Sequence, residues 1–199
     1  MKIIKYFFFF ALGTLLMAAD CSNKDSEFYN DVFATTPGLI ALETQSAYSV
    51  NDILWINSNN FSRNIQEANQ THPLDVFETT GGAQSFNFSY LLEKKVSADV
   101  WTEFPLGNDL IPDKGMAEET ELFIAASCIY NPVTVAYEFR YGLKLSQPGQ
   151  YRLSFGYNST NATSVELRSE SVGNNLFLNI NSLVSGLDGS GYYNFNVSE

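Results

Sequence analysis

Between Val133 and Leu145 the chain alternates strictly. Val133, Val135, Tyr137, Phe139, Tyr141, Leu143 and Leu145 are apolar, and Thr134, Ala136, Glu138, Arg140, Gly142 and Lys144 separate them. A period of two places all the apolar positions on one side of a strand, whereas a helix would scatter them around its axis. The stretch reads as one long half-buried strand. Ser146 to Gln150, with Pro148 and Gly149 at its centre, carries turn chemistry. A second alternation follows, with Tyr151, Leu153, Phe155 and Tyr157 set against Arg152, Ser154 and Gly156. Two alternating runs joined by a short Pro-Gly loop predict an antiparallel pair with one apolar face.

The rest of the chain reads in the same way. Leu39–Thr44, Ile53–Asn57, Leu74–Thr79, Ser85–Leu92 and Thr120–Tyr130 are expected strands, as are Val165–Arg168, Leu176–Ile180 and Tyr192–Val197. Gly81-Gly82 marks a turn, and Lys94-Lys95 is expected to end the strand before it. Ser58–Pro73 is polar and reads as a loop with a helical turn near Ile65–Ala68. Trp101–Glu119, with Pro105, Gly107, Pro112 and Gly115, also reads as a loop. At 199 residues one domain is the default, and 45% hydrophobic with 15% aromatic content is enough to fill its core. Charged residues are only 17%, below the usual quarter or so, so Asn, Ser, Thr and Gln must cover much of the surface. That suits an extracytoplasmic β-protein. The net charge of −11 excludes a nucleic-acid partner, because a phosphate backbone needs a basic patch to neutralise it.

The N-terminus carries an address. Lys2 and Lys5 precede an apolar run of 14 residues, Tyr6–Ala19. A basic flank, a short apolar core and small residues after it mark a secretory signal, and the run is shorter than the roughly 20 residues that span a bilayer. Ala18-Ala19-Asp20-Cys21 then resembles the lipobox of bacterial lipoproteins, although Asp20 and Ala18 depart from the usual small residue and Leu at those positions. The polar stretch Ser22–Glu27 is similar to the export signal of Bacteroidota surface lipoproteins. The resemblance implies residues 1–20 as the signal peptide, lipidation at Cys21 and a polar tether over 21–36. It also implies an outer-membrane, lipid-anchored location, exposed at the cell surface; the alternative is ordinary cleavage and a secreted or periplasmic protein. A diacylated cysteine supplies the two chains that stable anchoring requires. The other cysteine, Cys128, lies in an apolar run and reads as a buried core residue; a Cys21–Cys128 disulfide stays open if Cys21 is not lipidated.

Leu145-x-x-Pro148-Gly149-x-Tyr151-x-Leu153 is similar to the tyrosine corner of immunoglobulin-like and fibronectin-like domains. By that resemblance Tyr151, Pro148 and Gly149 are structural. The fold expected for residues 37–199 is all-β, an immunoglobulin-like antiparallel β-sandwich of about nine strands. The Cys…Trp…Cys signature is missing. The roughly 35 residues between Tyr157 and Tyr192 imply an extra strand pair or an insertion.

Catalytic constellations are sparse. His72, the one histidine, sits before Pro73 in a polar stretch, and any Ser-His-Asp or Cys-His arrangement would have to use it. There is no nucleophile elbow, phosphate loop or dinucleotide fingerprint. No Cys/His spacing suits zinc, and no carboxylate pair stands out as a glycosidase dyad. The acids of residues 109–121, Asp109, Asp113, Glu118, Glu119 and Glu121, lack the spacing of a calcium-binding loop and read as a solvated acidic loop. No cofactor is expected. The expected function is that of an anchored, non-catalytic structural or protein-interaction module. The alternative is a glycan-binding surface module accessory to polysaccharide capture, with Trp101 and Trp55 as candidate ligand-binding residues, because sugar rings stack on exposed aromatic faces.

Overall fold

The structure, a computed structural model, describes residues 30–68, 70–156, 159, 161–172 and 175–199. The expected signal peptide and Cys21 lie outside the described residues. The fold is all-β. Among the described residues there are seventeen strands in three sheets, with one turn of α-helix and one of 3-10 helix. Strands are numbered along the chain.

The largest sheet has eleven strands and is organised by β7 (Ser85–Ser97), the longest strand. The first half of β7 pairs with β11 (Ile124–Asn131) and touches β15 (Ser164–Ser169). Its second half pairs with β14 (Gly149–Ser154) and β8 (Val100–Glu103). One path through the sheet continues from β15 to β16 (Leu176–Leu183) and β1 (Asn30–Thr35), and another from β14 to β17 (Tyr192–Ser198) and β3 (Tyr48–Ser49). β10 (Met116–Glu119) and β12 (Ala136–Glu138) complete it beside β11. The sheet is mixed, because β3 and β17 run parallel. The second sheet orders β2 (Ile40–Glu43), β4 (Ile53–Ser58), β13 (Arg140–Lys144) and β9 (Leu110–Lys114). β5 (Asn64–Ile65) and β6 (Leu74–Asp75) form a two-stranded ribbon.

Both larger sheets contribute to one hydrophobic core. From β7 come Phe86, Phe88, Tyr90 and Leu92; from the alternating run come Tyr137, Phe139, Tyr141, Leu143 and Leu145, all buried. Phe86 meets Tyr137 and Phe88 meets Phe139 edge-on, at 4.8 and 4.9 Å between ring centroids. Edge-to-face contact sets the positive rim of one ring on the negative face of the other.

The expected long strand is two strands in two sheets. Chain pairing passes from β12 in the large sheet to β13 in the small one at Phe139. Its predicted beginning is a turn: Val133 is 88% exposed, Val135 has φ 55°, and Asn131 Oδ1 accepts from the Val133 amide. Nor do the two alternating runs pair with each other. β13 lies between β4 and β9, while β14 lies between β7 and β17. The loop between them crosses from one sheet to the other. Gly149 makes the bend at φ 145°, and Tyr151 Oη donates to the Gln147 carbonyl at 2.9 Å, closing a tyrosine corner.

Other expectations also change. Asn30–Thr35, read as tether, is β1, with Ala34 buried in the core. Leu74–Thr79 is a strand for only two residues; Val76–Thr79 is helix α1, because Asp75 Oδ1 accepts from the Glu78 amide and caps it. The helical turn expected near Ile65 is absent: Asn64–Ile65 is β5, and Gln66–Glu67 that follows is irregular. Lys94-Lys95 does not end β7, which runs to Ser97. The expected loop over 101–119 holds β8, β9 and β10; Pro112 is tolerated because β9 is an edge strand, where a missing N–H costs no ladder bond. The extra strand pair implied after Tyr157 is the antiparallel hairpin β15–β16. Among the described residues no helix is long and apolar enough to cross a membrane.

Among the described residues three tyrosines are fully buried in this core. Tyr137 Oη donates to the Ala83 carbonyl and Tyr151 Oη to that of Gln147, whereas Tyr90 Oη has no partner among the described residues. An unpaired buried hydroxyl costs its desolvation, and a paired one contributes about 1 kcal/mol. Tyr90→Phe is therefore expected to raise the urea midpoint, and Tyr137→Phe and Tyr151→Phe to lower it. A lowered midpoint in Tyr90→Phe would show that its hydroxyl is paired.

Candidate functional site

The outer face of the large sheet carries a cluster centred on Arg152. Register on β14 sets Arg152 opposite Glu93 of β7 and Asn194 of β17. Arg152 Nε and Nη2 donate to the two Glu93 carboxylate oxygens at 2.6 and 2.8 Å. Its guanidinium carbon lies 4.6 Å from the Trp101 ring centroid and 4.1 Å from that of Tyr192. A planar cation between two π faces, held in its plane by a forked carboxylate, is fixed in both direction and tilt. The hydrogen bonds to Glu93 hold its pKa above the ordinary arginine value. Lys95, directly across from Trp101 on β7, brings its ammonium to 5.8 Å from the same indole.

The loop before β17 holds Tyr192 and Asn194. Asp188 Oδ1 accepts from the amides of Ser190 (2.8 Å) and Tyr192 (3.1 Å), and Oδ2 from Asn194 Nδ2 (2.7 Å). These bonds, led by the Tyr192 amide, hold the Asp188 carboxyl below the usual aspartate range. Gly191 sits at φ 88°, and a Cβ there would fall 2.2 Å from the Ala162 carbonyl oxygen, so the tight approach of this loop needs glycine.

Beside the cluster is a depression of 220 Å³ lined by Trp101, Gln150, Asn194 and Asn196, with Tyr151 and Phe195 also contributing to its lining. Trp101 is half-buried and Gln150, Asn194 and Asn196 are exposed. Gln150 and Asn196 are cross-strand partners, and neither side chain makes a hydrogen bond within the described residues.

Trp55 is placed differently. Arg140 covers it, with the guanidinium carbon 3.9 Å from the ring centroid. Arg140 Nε and Nη2 donate to Glu43, each at 2.8 Å, and Nη1 to Asp113 at 2.9 Å. Glu43, Trp55, Arg140 and Asp113 belong to β2, β4, β13 and β9, so this cluster ties all four strands of the small sheet together. Gly142, directly across from Trp55, leaves room for the indole, since a Cβ there would meet the ring at 3.1 Å. Trp55 is a platform for Arg140.

The remaining candidates are dispersed. His72 is exposed. Cys128 is a buried free thiol, and burial pushes its pKa up. Of the acids in 109–121, Glu119 accepts from the amides of Leu106 and Gly107, and Asp113 pairs with Arg140. Among the described residues no group of three or more His, Cys, Asp or Glu is arranged to hold a metal ion. Arg152, Gln150, Asn194 and Asn196 were not singled out from sequence. Their one signal is that they occupy the polar slots of two alternating runs, which share a face only if those runs pair. Comparison with protein families, curated proteins and solved structures finds no match to this chain.

Several carboxylates are tuned by these pairs. Hydrogen bonds from Arg140 lower Glu43, those from Arg63 lower Asp75, and that from Asn131 lowers Glu138. Each contributes stability that is present above its unfolded pKa, ordinarily 4.5 for Glu and 3.8 for Asp, and is lost as pH falls through the lower folded value. Glu103 opposes them: burial, with Glu119 nearby, raises its pKa, so acid relieves a cost there. With four lowered groups, Asp188 among them, against one raised, the urea midpoint is expected to fall between about pH 5 and pH 3. Glu43→Gln should make that fall shallower; an unchanged slope would mean the Arg140 cluster does not tie the small sheet.

Proposed function

We propose that this protein is a lipid-anchored module of the outer membrane or cell surface, non-catalytic, acting through contacts made by its sheet faces with a protein partner. The observation that carries this reading is Ala18-Ala19-Asp20-Cys21 closing the apolar run behind Lys2 and Lys5. The tyrosine corner at Tyr151 supports a body related to the immunoglobulin-like sandwich, elaborated by the β15–β16 hairpin and the parallel β3 edge. The pairing of Arg63, Arg140 and Arg152 with carboxylates from other segments of the fold supports a non-catalytic role, because these groups serve to hold the fold together.

A second reading, a glycan-binding surface module, is favoured by one observation: Trp101 is half-exposed at the edge of a depression whose rim carries unengaged amides.

Metabolic labelling with a fatty acid is expected to mark the wild-type protein and to leave Cys21→Ser unmarked. A labelled Cys21→Ser protein, or an unlabelled wild type released into the medium, would sink the anchor. Protease shaving of intact cells should degrade the protein if it faces outward and spare it if it faces the periplasm.

A further inference from the structure

We propose that the depression beside Trp101 is a subsite for one uncharged pyranose ring of a polysaccharide, with Trp101 as the stacking platform and Gln150 and Asn196 as the hydroxyl-binding groups. The proposal rests on the glycan reading and gives it a place and a ligand class.

The match is chemical. One side of a pyranose presents polarised C–H bonds, which an electron-rich indole face attracts as it attracts other positive edges. The rim of the ring carries hydroxyls that both donate and accept. A side-chain amide offers two donors and a carbonyl acceptor, so it can serve two neighbouring hydroxyls at once. Gln150 and Asn196 have this capacity free, and the β14–β17 register places them across from each other. Asn194 differs: its amide nitrogen is engaged by Asp188, which leaves its carbonyl oxygen as an acceptor at the wall.

Size and charge narrow the ligand. At 220 Å³ the depression is smaller than the roughly 300–1,000 Å³ of sites that enclose drug-sized molecules, which suits a single ring. Among the described residues β8, which carries Trp101, pairs only with β7, so the site lies beside an open sheet edge past which a polymer can run. An acidic sugar is disfavoured. Glu93 already forks onto Arg152, and the chain carries a net charge of −11. Among the described residues no cationic side chain lines the depression; Lys95, near the Trp101 indole, sits at the end of a flexible stem that a sugar ring can displace. Arg152 is therefore a positioning residue: pinned by Glu93 and backed by Tyr192, it stacks on the indole and fixes its orientation.

Affinity electrophoresis of the full-length protein in detergent tests this, with hydroxyethylcellulose, galactomannan, xyloglucan and pullulan as neutral polymers and polygalacturonate as the acidic one. The expected result is retardation by at least one neutral polymer. Trp101→Ala should weaken it at least tenfold, Gln150→Ala and Asn196→Ala severalfold each, and Trp55→Phe should leave it unchanged. Retardation that survives Trp101→Ala overturns this subsite while leaving the glycan reading intact. No retardation by any polymer overturns both, and stronger retardation by polygalacturonate overturns the uncharged class. Should Trp101→Ala fail to fold, Gln150→Ala and Asn196→Ala decide, since both residues are exposed and full retardation in both also overturns the subsite. Arg152→Lys, which keeps the charge but loses the planar stack, should weaken binding and shift the tryptophan emission of the free protein; unchanged emission with unchanged binding would remove Arg152 from the positioning role.

Discussion

The row of ring contacts between β7 and the chain around Phe139 holds this molecule together. Phe86 against Tyr137 and Phe88 against Phe139 pack edge to face at the point where pairing passes from the large sheet to the small one. Burying each such side chain contributes about 1.5–3 kcal/mol. Because β7 pairs with β11, β14 and β8 and touches β15, its placement sets both halves of the large sheet. The polar residues that β7 turns outward, Glu93 among them, are placed by the same packing.

The crossing at 146–150 is the second constraint. It lets two consecutive apolar stripes enter one core from different sheets, where a hairpin would set them side by side. Gly149 permits the bend and the Tyr151 hydroxyl ties it back to Gln147. The Tyr151 ring is itself packed, stacked on Phe195 at 5.6 Å and edge-on to Phe104 at 5.2 Å. Directly behind that ring, on the outer face, lies Arg152. The corner thus sets the register of β14, and with it the position of the cluster around Trp101.

On the outside of each of the two larger sheets the same device recurs: an arginine stacked on a tryptophan and forked onto a glutamate of a nearby strand. In the small sheet Arg140, Trp55 and Glu43 use it to lace all four strands, and Asp113 closes the far side. In the large sheet Arg152, Trp101 and Glu93 use it beside an open depression flanked by amides. The chemistry is alike and the surroundings differ. At Trp55 the platform is taken up within the sheet, while at Trp101 it stands at the rim of a groove.

Within the strands that form, sequence alone determined which residues point inward. The alternations at Tyr137–Leu145 and Phe86–Leu92 are buried as their period requires, and the Pro148-Gly149-x-Tyr151 corner was legible because its bond spans only four residues. Helix α1 was missed, because Leu74–Thr79 reads as a strand and the helix start rests on the Asp75 cap. Tertiary structure alone decided which strands are neighbours. A period of two states the face a residue takes and says nothing of the strand beside it, so the two central runs could as well have paired with each other. The Trp101 groove joins residues from β8, β14 and β17 that meet only once those neighbours are chosen. That choice is made by the fit of large rings across the core, a long-range property that no local stretch of chain contains.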